Sequence, residues 1–227
     1  MFLTRNILVR IFSVMTNLLH IDSSFQGERS ISREISAAYA AAWQAANPDG
    51  GYVYRDLDAT PVSHLSGPYF SAAMTPAEDR TAEQHAAWAA TQEIRDELLA
   101  ADVVLIGAPM YNFTIASTLK AWVDHIVIQD FALDQETGTG PLVGKKVVVA
   151  TARGGSYGPG TPREGWDFQE PLLRAQLSQV GLDKDLTFVH TEMTLAYVVE
   201  KLFQFKHIAD ASRENAHKAV QELATTG

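Results

Sequence analysis

Four serines follow a short apolar run near the start of the chain. Residues 22–32 read DSSFQGERSIS, with serines at 23, 24, 30 and 32. Hydroxyls and the unpaired amides of a helix N-terminus bind anions, because the first-turn N–H groups lack partners and the helix dipole is positive there. The segment is neither a Walker loop nor a Gly-x-Gly-x-x-Gly run. It favours a site for one phosphate group. The alternative is that Ser30 or Ser32 only caps a helix.

A second candidate segment, APMYNF, occupies residues 108–113 after another apolar run. Its large side chains, Met110, Tyr111 and Phe113, surround the single amide of Asn112. An aromatic ring system could lie against Met110 and Phe113, with the Asn112 segment supplying polar contacts. The alternatives are a hydrophobic plug at the end of a sheet and a dimer contact.

The third segment, TARGGSYG, spans residues 151–158. Gly154 and Gly155 would let backbone N–H groups approach a ligand closely, because neither residue has a side chain. Tyr157 could cover the face or the edge of a ring. The alternative is an ordinary tight loop.

The same segment contains Gly-x-Ser-x-Gly around Ser156, which is the nucleophile-elbow pattern of serine hydrolases. Acids and histidines in a suitable order follow at Asp183, Asp185, His190 and His207. The elbow needs a helix directly after the serine, and Pro159 and Pro162 oppose one. A hydrolase using Ser156 is therefore a remote alternative.

Alternating strand and helix patterns surround these three segments. Apolar runs predict strands at 17–22, 52–57, 103–108, 146–151 and 186–190. Helical spacing predicts helices at 30–47, 75–101, 117–128, about 168–180 and about 197–224, the second beginning at Thr75 with Pro76 and Glu78 behind it. The alternation predicts a parallel α/β sheet with helices on both faces. Ligands bind such sheets beyond the carboxyl ends of the strands, where the three segments lie.

Composition limits the possible partners. Eighteen basic and 27 acidic residues give a net charge of −9, which opposes a nucleic-acid partner. The absence of cysteine excludes disulfides and is compatible with the cytoplasm. The seven histidines lack paired ligand spacing, so no metal site is expected. No apolar run is long enough for a membrane span. Residues 1–14 are interpreted as an extension outside a single domain at 15–227.

The three segments together resemble the FMN-dependent NADH:quinone oxidoreductase / NADH-azoreductase family. The resemblance runs from Met15 to the C-terminus and is strongest at APMYNF (108–113), Thr118-Leu119-Lys120, Asp124, Gly144-Lys145-Lys146 and Arg153-Gly154-Gly155. It implies a flavodoxin-like, three-layer doubly wound sheet with five parallel strands in the order 2-1-3-4-5. It also implies a homodimer with one FMN per subunit near the dimer interface.

The resemblance assigns the binding residues by position. The phosphate side would be Ser24, Ser30, Ile31 and Ser32. The ring would be held by Met110, Tyr111, Asn112, Phe113, Ala152, Arg153, Gly154 and Gly155. NADH or NADPH would reduce the flavin, which would then reduce quinones or aromatic azo compounds in a ping-pong cycle. No catalytic side chain is required. The alternative is an FMN-bearing redox carrier or sensor without turnover.

Two positions depart from the family pattern. Ala152 stands where many members have serine, and Leu133 stands where many have an aromatic residue. The second difference affects the expected substrate wall, for which the candidates are Phe131, Tyr157, Trp166 and Phe168.

Overall fold

The computed structural model describes residues 16–134 and 136–226. Its strands are β1 (Asn17–Asp22), β2 (Gly51–Asp56), β3 (Val103–Pro109), β4 (Lys146–Ala152) and β5 (Asp185–Thr191). They form one parallel sheet in the order β2-β1-β3-β4-β5, which confirms the predicted topology. β3 is buried along its whole length, as expected for a continuous apolar strand covered on both faces.

The helices are α1 (Ile31–Ala46), α2 (Gly67–Ala73), α3 (Ala82–Ala100), α4 (Ser117–Ile126), α5 (Glu170–Ser178) and α6 (Lys206–Thr225). Because side chains alternate along a strand, neighbouring residues face different layers. Leu18 and Leu105 pack with α1 and α6. Leu19 and Val104 pack with α3, α4 and α5 on the opposite face. The result is a three-layer core.

The register brings the ends of three strands together. Asp22 of β1 is paired with Gly107 of β3, and Pro109 of β3 is paired with Ala152 of β4. β2 lies on one side of β1 in the sheet, and β3 lies on the other side. The direction of strand order therefore reverses between β1 and β3. The loops after β1, β3 and β4 therefore leave the sheet side by side at its switch point.

The start of the helix predicted at 75–101 was wrong. α3 begins at Ala82, with Thr81 as N-cap and a reciprocal capping box between Thr81 and Gln84. Thr75 instead donates a hydrogen bond to the carbonyl of Ser71 at the end of α2, a helix that is not among those predicted from the sequence. Two capping signals six residues apart compete, Thr75 with Glu78 and Thr81 with Gln84, and the reciprocal box forms at Thr81.

The predicted final helix also begins later than expected. Short 3₁₀ helices at Thr194–Tyr197 and Glu200–Phe205 precede α6. The amides of Thr194 and Leu195 donate to the carbonyls of Arg153 and Gly154 at 3.0 and 3.3 Å, which ties this stretch to the loop after β4.

None of the helices within 16–134 and 136–226 combines the length and the apolar character of a membrane crossing. The predicted extension at 1–14 lies outside the described residues.

Candidate functional site

The loops after β1, β3 and β4 enclose a cavity of about 480 Å³ at the switch point. Predicted site residues that line it are Ser24, Ser30, Ile31, Met110, Tyr111, Ala152 and Gly154. Ser32, Asn112, Phe113, Arg153 and Gly155 are not among its walls, although all of them except Phe113 are adjacent in sequence to a residue that is. Three segments that are far apart in the sequence thus form one site.

The serine segment forms an anion cradle at the start of α1. Ser30 is the N-cap, and its Oγ accepts from the amide of Arg33 at 3.3 Å and lies 3.1 Å from Ser32 Oγ. Among the described residues the amides of Ile31 and Ser32 have no acceptor. Ser30 therefore caps the helix, and two free N–H groups at the positive end of its dipole remain for a ligand. This donor set fits one phosphate group.

Arg33 positions the loop that carries Ser24. Its Nε and Nη2 donate to the carbonyl of Ser24 at 3.0 and 2.7 Å, and Nη1 and Nη2 each donate to a carboxylate oxygen of Asp56 at 2.7 Å. The hydrogen bonds from Arg33 are the main reason that the pKa of Asp56 is lowered. The sequence analysis missed both residues. The position of Asp56 at the carboxyl end of β2 was the available signal.

The APMYNF segment forms a tight turn with an unusual backbone. Tyr111 and Thr114 exchange two backbone hydrogen bonds, of 2.9 and 3.1 Å, around Asn112 and Phe113. Both central residues have positive φ, 48° for Asn112 and 70° for Phe113, which is the φ pattern of a type I′ turn. A positive φ at a residue as large as phenylalanine costs about 1–3 kcal/mol, and strain of this kind concentrates at ligand sites.

Neighbouring loops hold this turn in place. The amide of Met110 donates to the carbonyl of Ala152 at 2.8 Å, and the amide of Phe168 donates to the carbonyl of Phe113 at 3.0 Å. Tyr111 separates the first cavity from a second one of about 640 Å³ that Asn112 lines. The turn therefore does not plug the end of the sheet. It divides two open cavities.

Arg153 faces away from the cavity and organises the loop after β4. Its side chain is buried, with Nη2 2.9 Å from Asp167 Oδ2 and Nε donating to Gln169 Oε1 at 3.3 Å. Gln169 in turn donates to the carbonyl of Ala108 at the end of β3. Arg153 therefore acts on the cavity by fixing the backbone on either side of it.

The glycines of the Arg-Gly-Gly loop present free donors. Within the described part of the chain the amides of Gly154 and Gly155 have no acceptor, whereas their carbonyls accept from the amides of Leu195 and Met193 at 3.3 Å each. Preorganised amides of this kind stabilise negative charge on a ligand without reorganising.

The predicted substrate wall is only partly exposed. The short 3₁₀ turn after α4 packs the Phe131 ring into the core at 1% exposure, away from the walls of both cavities. Tyr157 is also buried, and its hydroxyl accepts from Arg163 at 2.9 Å. Trp166 and Phe168 are exposed, and the Trp166 ring lies 5.2 Å from that of Phe113. Neither lines the first cavity.

The hydrolase alternative lacks its structural context. No helix begins between Ser156 and Glu170, so Ser156 does not occupy a strand-to-helix elbow. His190 is committed elsewhere, with Nε2 2.8 Å from Glu170 and Nδ1 2.8 Å from Thr151 Oγ1. In the described ranges no cluster of three or more acidic or histidine side chains could hold a metal ion.

Comparison with known proteins places the chain in a family. Residues 16–222 match the family described as flavodoxin-like fold. The chain is 44% identical over 211 residues to an FMN-dependent NADH:quinone oxidoreductase from Frankia casuarinae, covering 93% of this chain and 100% of the relative. A protein of the same name from Streptomyces coelicolor is 44% identical over 206 residues, covering 89% and 91%.

Solved structures share the fold at lower identity. An azoreductase from Bacillus anthracis str. Sterne superposes with a TM-score of 0.79 at 20% identity, covering 94% of this chain and 100% of that one. An FMN-dependent NADH-azoreductase from Bacillus anthracis str. Ames Ancestor, in complex with FMN, gives 0.76 at 20% identity, with coverage of 92% and 100%. At this identity the likeness supports the fold. The family match and the sequence relatives establish that the chain belongs to the flavodoxin-like family of the FMN-dependent NADH:quinone oxidoreductases.

Proposed function

We propose that this protein is an FMN-dependent oxidoreductase that takes two electrons from NADH or NADPH and passes them to quinones or aromatic azo compounds. The observation that carries the proposal is the convergence of the loops after β1, β3 and β4 on one cavity whose polar groups are hydroxyls and unpaired amides. Relatives 44% identical over almost the whole chain bear the name of this activity.

The serine cradle would hold the phosphate group of FMN. Ser24, Ser30 and Ser32 supply hydroxyls, and the amides of Ile31 and Ser32 supply the N–H groups that α1 leaves unpaired. The three hydroxyls are almost completely buried with their residues, at 1%, 4% and 0% exposure. A buried polar cluster that still has free donors is costly unless a ligand satisfies it.

The other two loops would hold the flavin ring. Met110 and Tyr111 would supply an apolar wall, and the strained turn at Asn112 and Phe113 would fix its direction. The amides of Gly154 and Gly155 are free to face the pyrimidine end of the ring, where negative charge develops on reduction.

FMN, when bound, accepts a hydride from the nicotinamide donor and gives two electrons to the acceptor, so the redox chemistry belongs to the cofactor. The residues of this chain bind and orient the ring and offer hydrogen-bond donors at fixed positions. No side chain is needed as a nucleophile. The cycle also implies a cytoplasmic location, because its reduced nicotinamide donor is a cytoplasmic metabolite.

A homodimer is part of the proposal. Aromatic side chains beside the switch-point loops remain open to solvent, with Phe25 65%, Trp166 53% and Phe168 57% exposed. A second copy of the chain would cover them and close the second cavity. Sedimentation of the purified protein should give about twice the mass of the chain. A monomer at micromolar concentration would contradict this part of the proposal.

The test of function begins with the visible spectrum. The purified protein, reconstituted with FMN and separated from free cofactor, should show flavin absorbance and should oxidise NADH or NADPH with menadione or benzoquinone as acceptor. A Ser30→Ala/Ser32→Ala variant should lose FMN, whereas Ser178→Ala, at a half-buried serine of α5 that does not line the cavity, should keep it. Absence of flavin binding would overturn the proposal. Stable flavin binding without turnover would favour the carrier or sensor.

A further inference from the structure

An arginine from the far end of the chain borders the serine cradle. Arg213 of α6 lines the same cavity as Ser30 and Ile31. Its Nε donates to Glu34 Oε1 at 2.8 Å, its Nη2 donates to Glu34 Oε2, and His217 Nε2 lies 2.6 Å from Glu34 Oε1. This cluster of Glu34, Arg213 and His217 joins α6 to the first turns of α1.

The carboxylate of Glu34 lies close to where the phosphate group would bind. Glu34 is four residues after the N-cap Ser30 and also lines the cavity. Helical side chains lean toward the N-terminus, which directs this carboxylate toward the cradle. Burial alone would raise the pKa of Glu34, but hydrogen bonds from Arg213 and His217 outweigh it and lower that pKa. Glu34 is thus an anion, and it would repel a phosphate unless a cation compensated for it.

Arg213 has hydrogen-bonding capacity left after it has paired with Glu34. Nη1 has no acceptor among the described residues, and the side chain is 47% exposed at the cavity rim. A guanidinium held by a carboxylate on one edge can bind a second anion on the other, because its five N–H donors lie in one rigid plane. The other charged residues of the rim, Glu28 and Arg29, are opposite in sign to each other.

We propose that Arg213 is a specificity-determining residue: Glu34 holds its guanidinium at the rim of the serine cradle, where it binds the phosphate of the flavin and makes the site selective for FMN over riboflavin. The inference rests on the proposed flavin function. It adds a residue that no sequence pattern of the phosphate loop contains.

Flavin titrations of the cofactor-free protein test this role. Quenching of flavin fluorescence gives the Kd for FMN and for riboflavin, which differ only in the phosphate. Arg213→Gln should raise the Kd for FMN about tenfold or more, the range expected for loss of a charged hydrogen bond, and should leave the Kd for riboflavin within about twofold. Arg213→Lys should give an intermediate Kd for FMN, because it keeps the charge and loses the planar donor pair.

A matched control removes a charge elsewhere on the same helix. Lys218 pairs with Glu214 on the exposed face of α6 and does not line the cavity. Lys218→Gln changes the net charge as Arg213→Gln does, and it should leave the Kd for FMN unchanged. An equal loss in both variants would assign the effect to overall charge and overturn the proposal. Far-ultraviolet circular dichroism and thermal unfolding establish that each variant is folded.

Removal of Glu34 separates phosphate binding by Arg213 from simple neutralisation of Glu34. Glu34→Gln should bind FMN as tightly as the wild type or more tightly, because the glutamine amide oxygen can still accept from Arg213 while a nearby anion is gone. In the double variant Glu34→Gln/Arg213→Gln, FMN should still bind several-fold more weakly than in Glu34→Gln. A double variant with the same Kd as Glu34→Gln would show that Arg213 only neutralises Glu34, and the proposal would be wrong.

The wild type distinguishes failure of this inference from failure of the proposed function. Binding of neither flavin would overturn both. Equal Kd values for FMN and riboflavin, or an Arg213→Gln variant that loses both flavins to the same extent, would overturn the role of Arg213 and leave the flavin function standing.

Discussion

The hydroxyl of Tyr111 lies 3.0 Å from Ser24 Oγ, which ties the turn after β3 to the loop after β1. The same tyrosine ring packs 4.5 Å from that of Phe25 and forms the wall between the two cavities. Because Arg33 fixes the carbonyl of Ser24, the tyrosine is joined through Ser24 to α1 and β2. The geometry of the proposed flavin-ring side is therefore coupled to that of the proposed phosphate side.

Removal of the Tyr111 hydroxyl should loosen this coupling. Tyr111→Phe loses one partly buried hydrogen bond, so the free energy of unfolding should fall by about 0.5–1.5 kcal/mol, and FMN should bind several-fold more weakly. Tyr52→Phe is the control, since the Tyr52 hydroxyl bonds His20 at 2.9 Å away from the cavity. Urea unfolding and flavin titration measure the two effects. Equal FMN affinity in the two variants would argue against the coupling.

The positive φ of Asn112 should make this position selective for residue type. Asn112→Val places a β-branched side chain at φ 48° and should lower the free energy of unfolding by about 1–3 kcal/mol. Asn112→Gly accepts the same backbone without strain and should stay within about 1 kcal/mol of the wild type. FMN binding by the glycine variant then reports the contribution of the amide side chain alone. Equal stability of the two variants would contradict the turn geometry.

The buried guanidinium of Arg153 should stabilise the loop after β4. Arg153→Met leaves Asp167, Glu170 and Glu192 without their shared cation and should lower the free energy of unfolding by about 3 kcal/mol. Arg174→Met is the control, because Arg174 also pairs with Glu170 but is 48% exposed, and it should cost at most about 1 kcal/mol. Urea unfolding compares them, and similar losses would contradict a buried, organising role for Arg153.

His190 should make stability depend on pH in the weakly acidic range. Burial lowers the pKa of His190 from its usual 6.5, and the charge of Arg153 lowers it further, against the opposite effect of Glu170. The unfolded chain therefore binds this proton more readily than the folded chain does. The free energy of unfolding should fall as the pH drops below 6.5, and the contribution should vanish above that pH.

The His190→Gln variant tests this dependence. It cannot titrate, so its urea midpoint should fall less steeply than that of the wild type between about pH 7 and pH 5. His64→Gln, at an exposed position, controls for the loss of a histidine. An identical slope in wild type and His190→Gln would show that other groups set the acid sensitivity.

The sequence by itself determined the order of elements and the positions of the three ligand loops. The continuous apolar runs at β3 and β4 have no polar face, so only a sheet covered on both sides can bury them. In such a sheet the loops after β1, β3 and β4 must meet at one edge. These loops carried the resemblance to the family, the resemblance implied the strand order, and both were confirmed. The roles of the individual binding residues remain predictions.

Only the tertiary structure decided how side chains are used around that edge. Arg153 faces the core, Phe131 is buried and α3 begins at Ala82, because each depends on a contact with a residue or element that local patterns do not specify. Arg33 and Arg213 show this most clearly: each acquires its role by pairing with a carboxylate, Asp56 or Glu34, that is distant in sequence. Periodicity along the chain indicates which face of an element is buried. Pairing between side chains of different elements is fixed by packing and register, so this pairing is visible only in the folded chain.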